Sequence, residues 1–218
     1  MKRSLHILLY AALLGAICAT LLTGASEVLG PYRRANEAAE RQRNIVAVLG
    51  IEYDAKASRE DLAKIYADNI RQATRGELTV YEYVSDGEVK AVAVPIAGPG
   101  MWGRIEGFLA LDADLKTIRG ISFYQQEETP GLGGEIAAAC PHGDRPHADE
   151  DKCPARFRHQ FAGKPVRLGD EIGIRVRPFG QASADNEVDA ISGATTTCRK
   201  VEAMVNSVLT QLAEEASE

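Results

Sequence analysis

The sequence predicts an α+β protein: an N-terminal transmembrane helix, then one domain with an antiparallel sheet and flanking helices. Three observations predict it. Residues 4–26 contain no Asp, Glu, Lys or Arg, and a helix needs about 20 apolar residues to cross a bilayer core. Between residues 78 and 124, strand signals are joined by turn residues, with no repeated strand-helix alternation, so a doubly wound parallel sheet is not expected. The C-terminal stretch repeats Val201, Met204, Val205, Val208, Leu209 and Leu212 at helical spacing, which is the pattern of a helix with one buried face.

The elements follow in order. The apolar segment reads as a retained anchor (residues 1–30), with a cleaved signal as the alternative; Thr23-Gly24-Ala25 is a poor cleavage site. Gly15, Ala16 and Ala19 suit close packing against another membrane helix. Residues 31–50 read as a charged juxtamembrane helix, and residues 51–218 as the domain. Ser58 with Asp61 three residues on marks a helix start. Leu62, Ile65, Tyr66, Asn69 and Ile70 carry that helix to about Thr74, with Gly76 as its stop. Leu78, Val80, Tyr83 and Val84 lead into Ser85-Asp86-Gly87, a hairpin turn. The return strand sets Val92, Val94 and Ile96 on one face, and Pro95 implies that its end lies at a sheet edge. A second pair covers residues 106–112 and 117–124. Residues 155–161 read as a short helix, and 172–176 as one half-buried strand whose arginines, Arg175 and Arg177, face solvent or pair with an anion.

Composition limits the function. The chain is 45% apolar and 26% charged, the balance of a globular chain rather than a disordered one. Its net charge of −6 leaves no basic face for nucleic acid. Without repeated strand-helix alternation the chain offers no dinucleotide-binding unit, so nicotinamide binding belongs to another protein.

Two stretches carry the candidate chemistry. In the first, Asp189, Ser192, Gly193, Ala194, Thr195 and Thr197 fit D-x-x-S-G-A-[ST]-x-T, with Thr196 between the last two. A small-residue turn entering a helix offers amides and a positive dipole end to a phosphate. An ordinary Ser/Thr helix cap has the same composition. The second runs Glu128-Thr129-Pro130-Gly131-Leu132-Gly133-Gly134-Glu135-Ile136. Glu127 and Glu128 lack a partner histidine, and a solvated turn is the plain reading. Trp102 is either a core residue or a surface for an aromatic ligand. Cys140, His142, His147 and Cys153 allow three readings: a disulfide-closed loop between Cys140 and Cys153, a polar insertion, or a metal site of unfamiliar spacing. Cys198 reads as a small buried residue.

Taken together, the two stretches resemble the FMN-binding domain family, found in the NqrC subunit of the Na+-translocating NADH:quinone reductase and in the corresponding flavin subunit of the Rnf complex. Met101-Trp102 and residues 107–112 look more like the quinone reductase branch. The resemblance implies FMN attached through a phosphoester to Thr197. Ser192, Gly193, Ala194, Thr195, Thr196, Trp102, Glu128, Thr129, Leu132 and Gly133 would line the flavin, and no residue of the chain itself would be catalytic. A threonine hydroxyl is a weak nucleophile and Asp189 is the only evident local base, so a separate flavin transferase using FAD is implied. The remaining partners would be the other membrane and flavin subunits of the complex. The resemblance also places the domain on the periplasmic side of the inner membrane. Charge counting leans the other way, because Arg33, Arg34, Arg41 and Arg43 outnumber Lys2 and Arg3. Two contrasting readings remain: the flavin subunit of an Rnf-type electron transport complex, and a noncatalytic membrane-anchored adaptor with an unmodified cap.

Overall fold

In the computed structural model, residues 2–54, 57–138 and 153–215 are described. Cys140, His142 and His147 lie outside them, and with them the disulfide and metal readings. The chain divides into two compact units, Met1–Glu40 and Arg41–Glu218.

The first unit consists of helix α1 (Lys2–Val48), which continues into the second. It runs through Pro31 without a break, so the domain limits expected at residues 30 and 50 fall inside the helix and just beyond its end. One 18-residue window has a mean hydropathy of 2.1, so the helix is long and apolar enough to cross a membrane.

The second unit is built on a five-stranded antiparallel sheet in the order β1 (Ile70–Arg75), β2 (Leu78–Ser85), β3 (Glu88–Pro99), β4 (Arg104–Asp112), β5 (Ile118–Gln125). Each strand pairs with its sequence neighbour, so the connections are short. Asp86 and Gly87 both take positive φ, as a two-residue hairpin turn with native twist requires.

Before the sheet comes α2 (Arg59–Asn69), closed at its start by a reciprocal capping box. Ser58 Oγ accepts from Asp61 N, and the Asp61 carboxylate accepts from Ser58 N. The helix ends five residues earlier than expected. Ile70 through Arg75 instead pair with Tyr83 through Leu78; the hydrogen bonds of that hairpin override the helical spacing. Pro95 lies where the sequence expects it. The β2–β3 register ends at Tyr81↔Ala93 while β3–β4 continues to Pro99↔Arg104, so Pro95 sits on a locally open side of the strand.

Strand alternation separates two cores. Val80, Val92, Val94, Ile96, Leu109 and Leu111 face α4 (Thr195–Glu215), whose Val201, Met204, Val205, Val208, Leu209 and Leu212 are buried against them. On the opposite face, Tyr81, Ala91, Ala93, Phe108 and Ala110 pack against Ile45, Val48 and Leu49 from the end of α1. The α4 stripe is therefore core, and it fixes the helix start.

The strand expected over residues 172–176 is two short ones. Gly173 (φ 112) breaks it. β7 (Glu171–Ile172) pairs with β6 (Arg167–Leu168), while β8 (Arg175–Arg177) pairs in parallel with β9 (Glu187–Asp189). The short helix is α3 (Arg156–His159). Arg175 and Arg177 pair with Glu171 and Glu187 respectively, rather than facing solvent unpaired or meeting an external anion.

Glu187 anchors the approach to the candidate motif. Its carboxylate accepts from Ser183 N, from Arg177 Nε at 2.6 Å and from Ala184 N. The Ser183 amide, then the Arg177 guanidinium and the Ala184 amide, pull its pKa from 4.5 to about 2. A depressed carboxylate stabilises the fold above its unfolded pKa, and that contribution is lost as pH falls toward the folded value. The Glu187→Gln chain is therefore expected to be less stable than wild type at pH 7, with the gap closing between about pH 4.5 and pH 2. Urea unfolding of the detergent-solubilised chains at several pH values measures this, and a gap constant with pH would refute it.

Candidate functional site

The site forms where three segments meet: the loop at residues 100–103 between β3 and β4, the turn after β5 that runs into a 3₁₀ turn (Gly133–Ala137), and the first turn of α4. Gly193 takes φ 77 and turns the chain into α4, a conformation that glycine adopts without a Cβ penalty. Thr197 thereby enters the first turn of a 21-residue helix. Its side chain points inward and is only 1% exposed.

The Thr197 hydroxyl donates to Glu128 Oε2 at 2.5 Å. Glu128 is itself buried. Its other oxygen, Oε1, accepts from Met101 N at 2.7 Å and Trp102 N at 3.1 Å. One carboxylate thus joins all three segments. Its negative charge also lies at the start of α4, where the helix dipole favours it. Glycines make the approach possible. A Cβ on Gly133 would lie 2.7 Å from both Thr197 Oγ1 and Glu128 Oε2, and one on Gly100 would collide with Glu128 Oε1.

Outside this buried centre the surface is apolar. Met101 is 55% exposed, Trp102 68% and Leu132 43%. Leu132 reaches over the motif, since a Cβ on Gly193 would lie 2.9 Å from its Cδ2. Large side chains left open around a buried hydroxyl suit a flat aromatic ligand.

The structure therefore brings Glu128, Gly133 and Thr197 into contact, seats Leu132 over Gly193, and ties Trp102 in through its backbone. Ala194 is buried, whereas Ser192, Thr195 and Thr196 are exposed. Thr129 contributes its carbonyl, which accepts from Leu132 N and Gly134 N; its side chain is exposed.

Two expectations are corrected. Glu128 is not a solvated turn residue, because three donors hold it inside the fold. Nor is Asp189 the acid nearest Thr197. Asp189 Oδ1 accepts from Gln181 N and Ala182 N, so it shapes the preceding loop, and Glu128 is the carboxylate on the hydroxyl. Met101 was missed by sequence reasoning. The available signal was its place beside Trp102 in a Gly-flanked loop. Cys198 is fully buried, its sulfur accepts from Ile191 N, and burial raises its thiol pKa. It stays protonated and inert.

The sequence model of the FMN-binding domain matches residues 100–210, and so spans all three segments of the site. The chain belongs to the FMN-binding domain family. Its curated relatives include the NqrC subunit of the Na+-translocating NADH-quinone reductase from Pasteurella multocida, 27% identical over 89% of this chain and 85% of that protein. The same subunit from Pseudomonas aeruginosa is 26% identical over 91% and 88%. Among solved structures, the NqrC subunit from Parabacteroides distasonis superposes with a TM-score of 0.68 at 24% identity, covering 87% of this chain and 98% of that one; this likeness carries the fold. The matched stretch thus holds β4, β5, most of α4 and the loops that converge on Thr197, while β1 to β3 precede it.

The site's chemistry fits FMN in two respects. A hydroxyl sits at a helix start beside first-turn amides that can serve a phosphate, and exposed apolar side chains stand ready for a ring. One feature opposes it: the hydroxyl is covered.

Proposed function

We propose that this chain is the flavin-carrying NqrC subunit of a Na+-translocating NADH:quinone reductase, with FMN held as a phosphoester on Thr197. The carrying observation is the Thr197 hydroxyl at the first turn of α4, joined through Glu128 to the loop that bears the exposed Met101 and Trp102. Relatives that carry this subunit's name along most of the chain give it its setting.

FMN supplies the redox chemistry when bound. The chain's own residues do the holding. Thr197 fixes the phosphate end to the rigid start of α4. Ser192, Gly193, Ala194, Thr195 and Thr196 form the turn around it. Trp102, Leu132 and Met101 offer apolar surface to the ring, with Glu128, Thr129 and Gly133 shaping the floor. Electrons reach and leave the site through the neighbouring membrane and flavin subunits that the relatives' name implies.

The attachment is made by a separate flavin transferase. The apolar part of α1 anchors the chain in the inner membrane, with the domain on the periplasmic side. A tether keeps the flavin at a high effective concentration where none is resupplied.

The test is intact mass and in-gel fluorescence of the denatured full-length chain, coexpressed with a flavin transferase. We expect a mass increase of one FMN and a fluorescent band. If neither appears while a control acceptor is modified, the chain is an adaptor with an unmodified helix cap.

A further inference from the structure

We propose that Glu128 is a latch on Thr197: its hydrogen bond closes the unmodified site, must open for flavin to be attached, and cannot re-form afterwards. This rests on Thr197 being the attachment residue.

Access is the first difficulty. A transferase must bring the phosphorus of its donor to Thr197 Oγ1, yet that side chain is 1% exposed. Its cover is specific. Glu128 Oε2 accepts its hydrogen at 2.5 Å, and Gly133 is packed so closely that a Cβ would meet both groups at 2.7 Å. Ser192, Thr195 and Thr196 nearby are exposed. The hydroxyl named by the motif is thus the one the closed domain withholds.

The latch has a defined chemistry. A carboxylate accepts and cannot donate, and Glu128 has a donor on each oxygen: Thr197 Oγ1 on one, Met101 N and Trp102 N on the other. Charge-assisted bonds of this kind are the strong ones. Transfer from a flavin adenine dinucleotide forms the bond between Thr197 Oγ1 and the flavin-side phosphorus. It breaks the P–O–P bridge, releases AMP as the leaving group and passes the hydroxyl proton to a base of the transferase. The oxygen that donated to Glu128 then has no hydrogen to give. In its place stands a phosphodiester carrying one negative charge, against a carboxylate in a site closed to water. Like charges at such range repel strongly. Glu128 must withdraw, and the loop at residues 100–103, which it holds by two amides, is released with it. Attachment therefore both requires and preserves the open arrangement of Met101 and Trp102.

Two measurements on the full-length chain in detergent test this. In the first, purified flavin transferase and FAD modify the folded wild type and Glu128→Gln chains, with circular dichroism confirming that both are folded. Glutamine is neutral and has only one acceptor oxygen for donors on two sides, so it holds the site closed more weakly. The variant is expected to incorporate flavin about tenfold faster or more, the effect of losing roughly one charge-assisted hydrogen bond. An equal or slower rate overturns the latch; a slower rate would mean that Glu128 assists the transfer.

The second needs no change at Glu128 and decides the matter should that variant not fold. Hydrogen exchange is followed in the peptide covering residues 100–103. We expect faster exchange after flavin attachment to the wild type, and also in unmodified Thr197→Val, which keeps the shape but cannot donate. Unchanged exchange in both overturns the proposal. Wild type left unmodified by a transferase that works on a control acceptor defeats the functional reading instead.

Discussion

Replacing Thr197 with alanine is expected to abolish covalent flavin, whereas Thr197→Ser retains it and Thr195→Ala and Thr196→Ala leave it in place. A phosphoester needs a hydroxyl oxygen, and alanine has none, so the loss is complete rather than graded. Serine keeps the oxygen at the same helix position. The neighbouring substitutions make the prediction sharp. Thr195 and Thr196 are exposed while Thr197 is buried, so if access alone chose the acceptor, they would be modified first. The motif instead singles out the covered residue. Removing the Thr197 hydroxyl also leaves Glu128 Oε2 without its donor inside the fold, at a cost of about 1–3 kcal/mol. The alanine chain should therefore be somewhat less stable but folded. Intact mass after coexpression with the transferase, with peptide mapping of the modified residue, reads all four variants. Flavin persisting on Thr197→Ala would place the attachment elsewhere.

Much of this arrangement was legible in the sequence, and what was not has a common physical cause. The α4 stripe, the Ser58–Asp61 capping box and the Asp86-Gly87 turn are local, and each is set by residues a few positions apart. The turn through Gly193 into α4 is local in the same way. Local spacing failed at Ile70, where pairing with Tyr83 across a hairpin outweighed a helical pattern. It failed again at Gly173, where β7 and β8 take different partners. Glu128 is the clearest case. Its role depends on Thr197, 69 residues away, and on amides of a third segment. A glutamate before Thr-Pro-Gly looks like a surface turn until the fold delivers three donors to it. Conversely, a buried Thr197 needs an acceptor from somewhere, and the fold meets that requirement with a distant carboxylate.

Phe108→Ala is expected to destabilise the domain more than any change at the flavin site. Phe108 lies in β4, on the sheet face turned away from α4, and is fully buried. Its ring stacks on Tyr124 with centroids 5.3 Å apart and meets Tyr81 edge-on at 5.8 Å. The Arg41 guanidinium lies 5.7 Å from its centroid and also donates to the Tyr81 hydroxyl at 2.9 Å. Truncation to alanine removes the shared partner of this group and leaves a cavity beneath Ile45 and Leu49, at a cost of about 3–5 kcal/mol. For a domain of this size each kcal/mol shifts Tm by roughly 2–4 °C, so a fall of about 6–20 °C follows. Phe108→Leu, which keeps most of the volume, should lose clearly less. The candidate site is built around Thr197 on α4, which packs against the opposite core of the sheet. Below its unfolding temperature, Phe108→Ala should therefore still accept flavin at Thr197. Thermal unfolding of the detergent-solubilised chains, paired with intact mass, measures both effects. A Tm change of only a degree or two would mean that the sheet tolerates the cavity and that the end of α1 contributes little to holding the domain together.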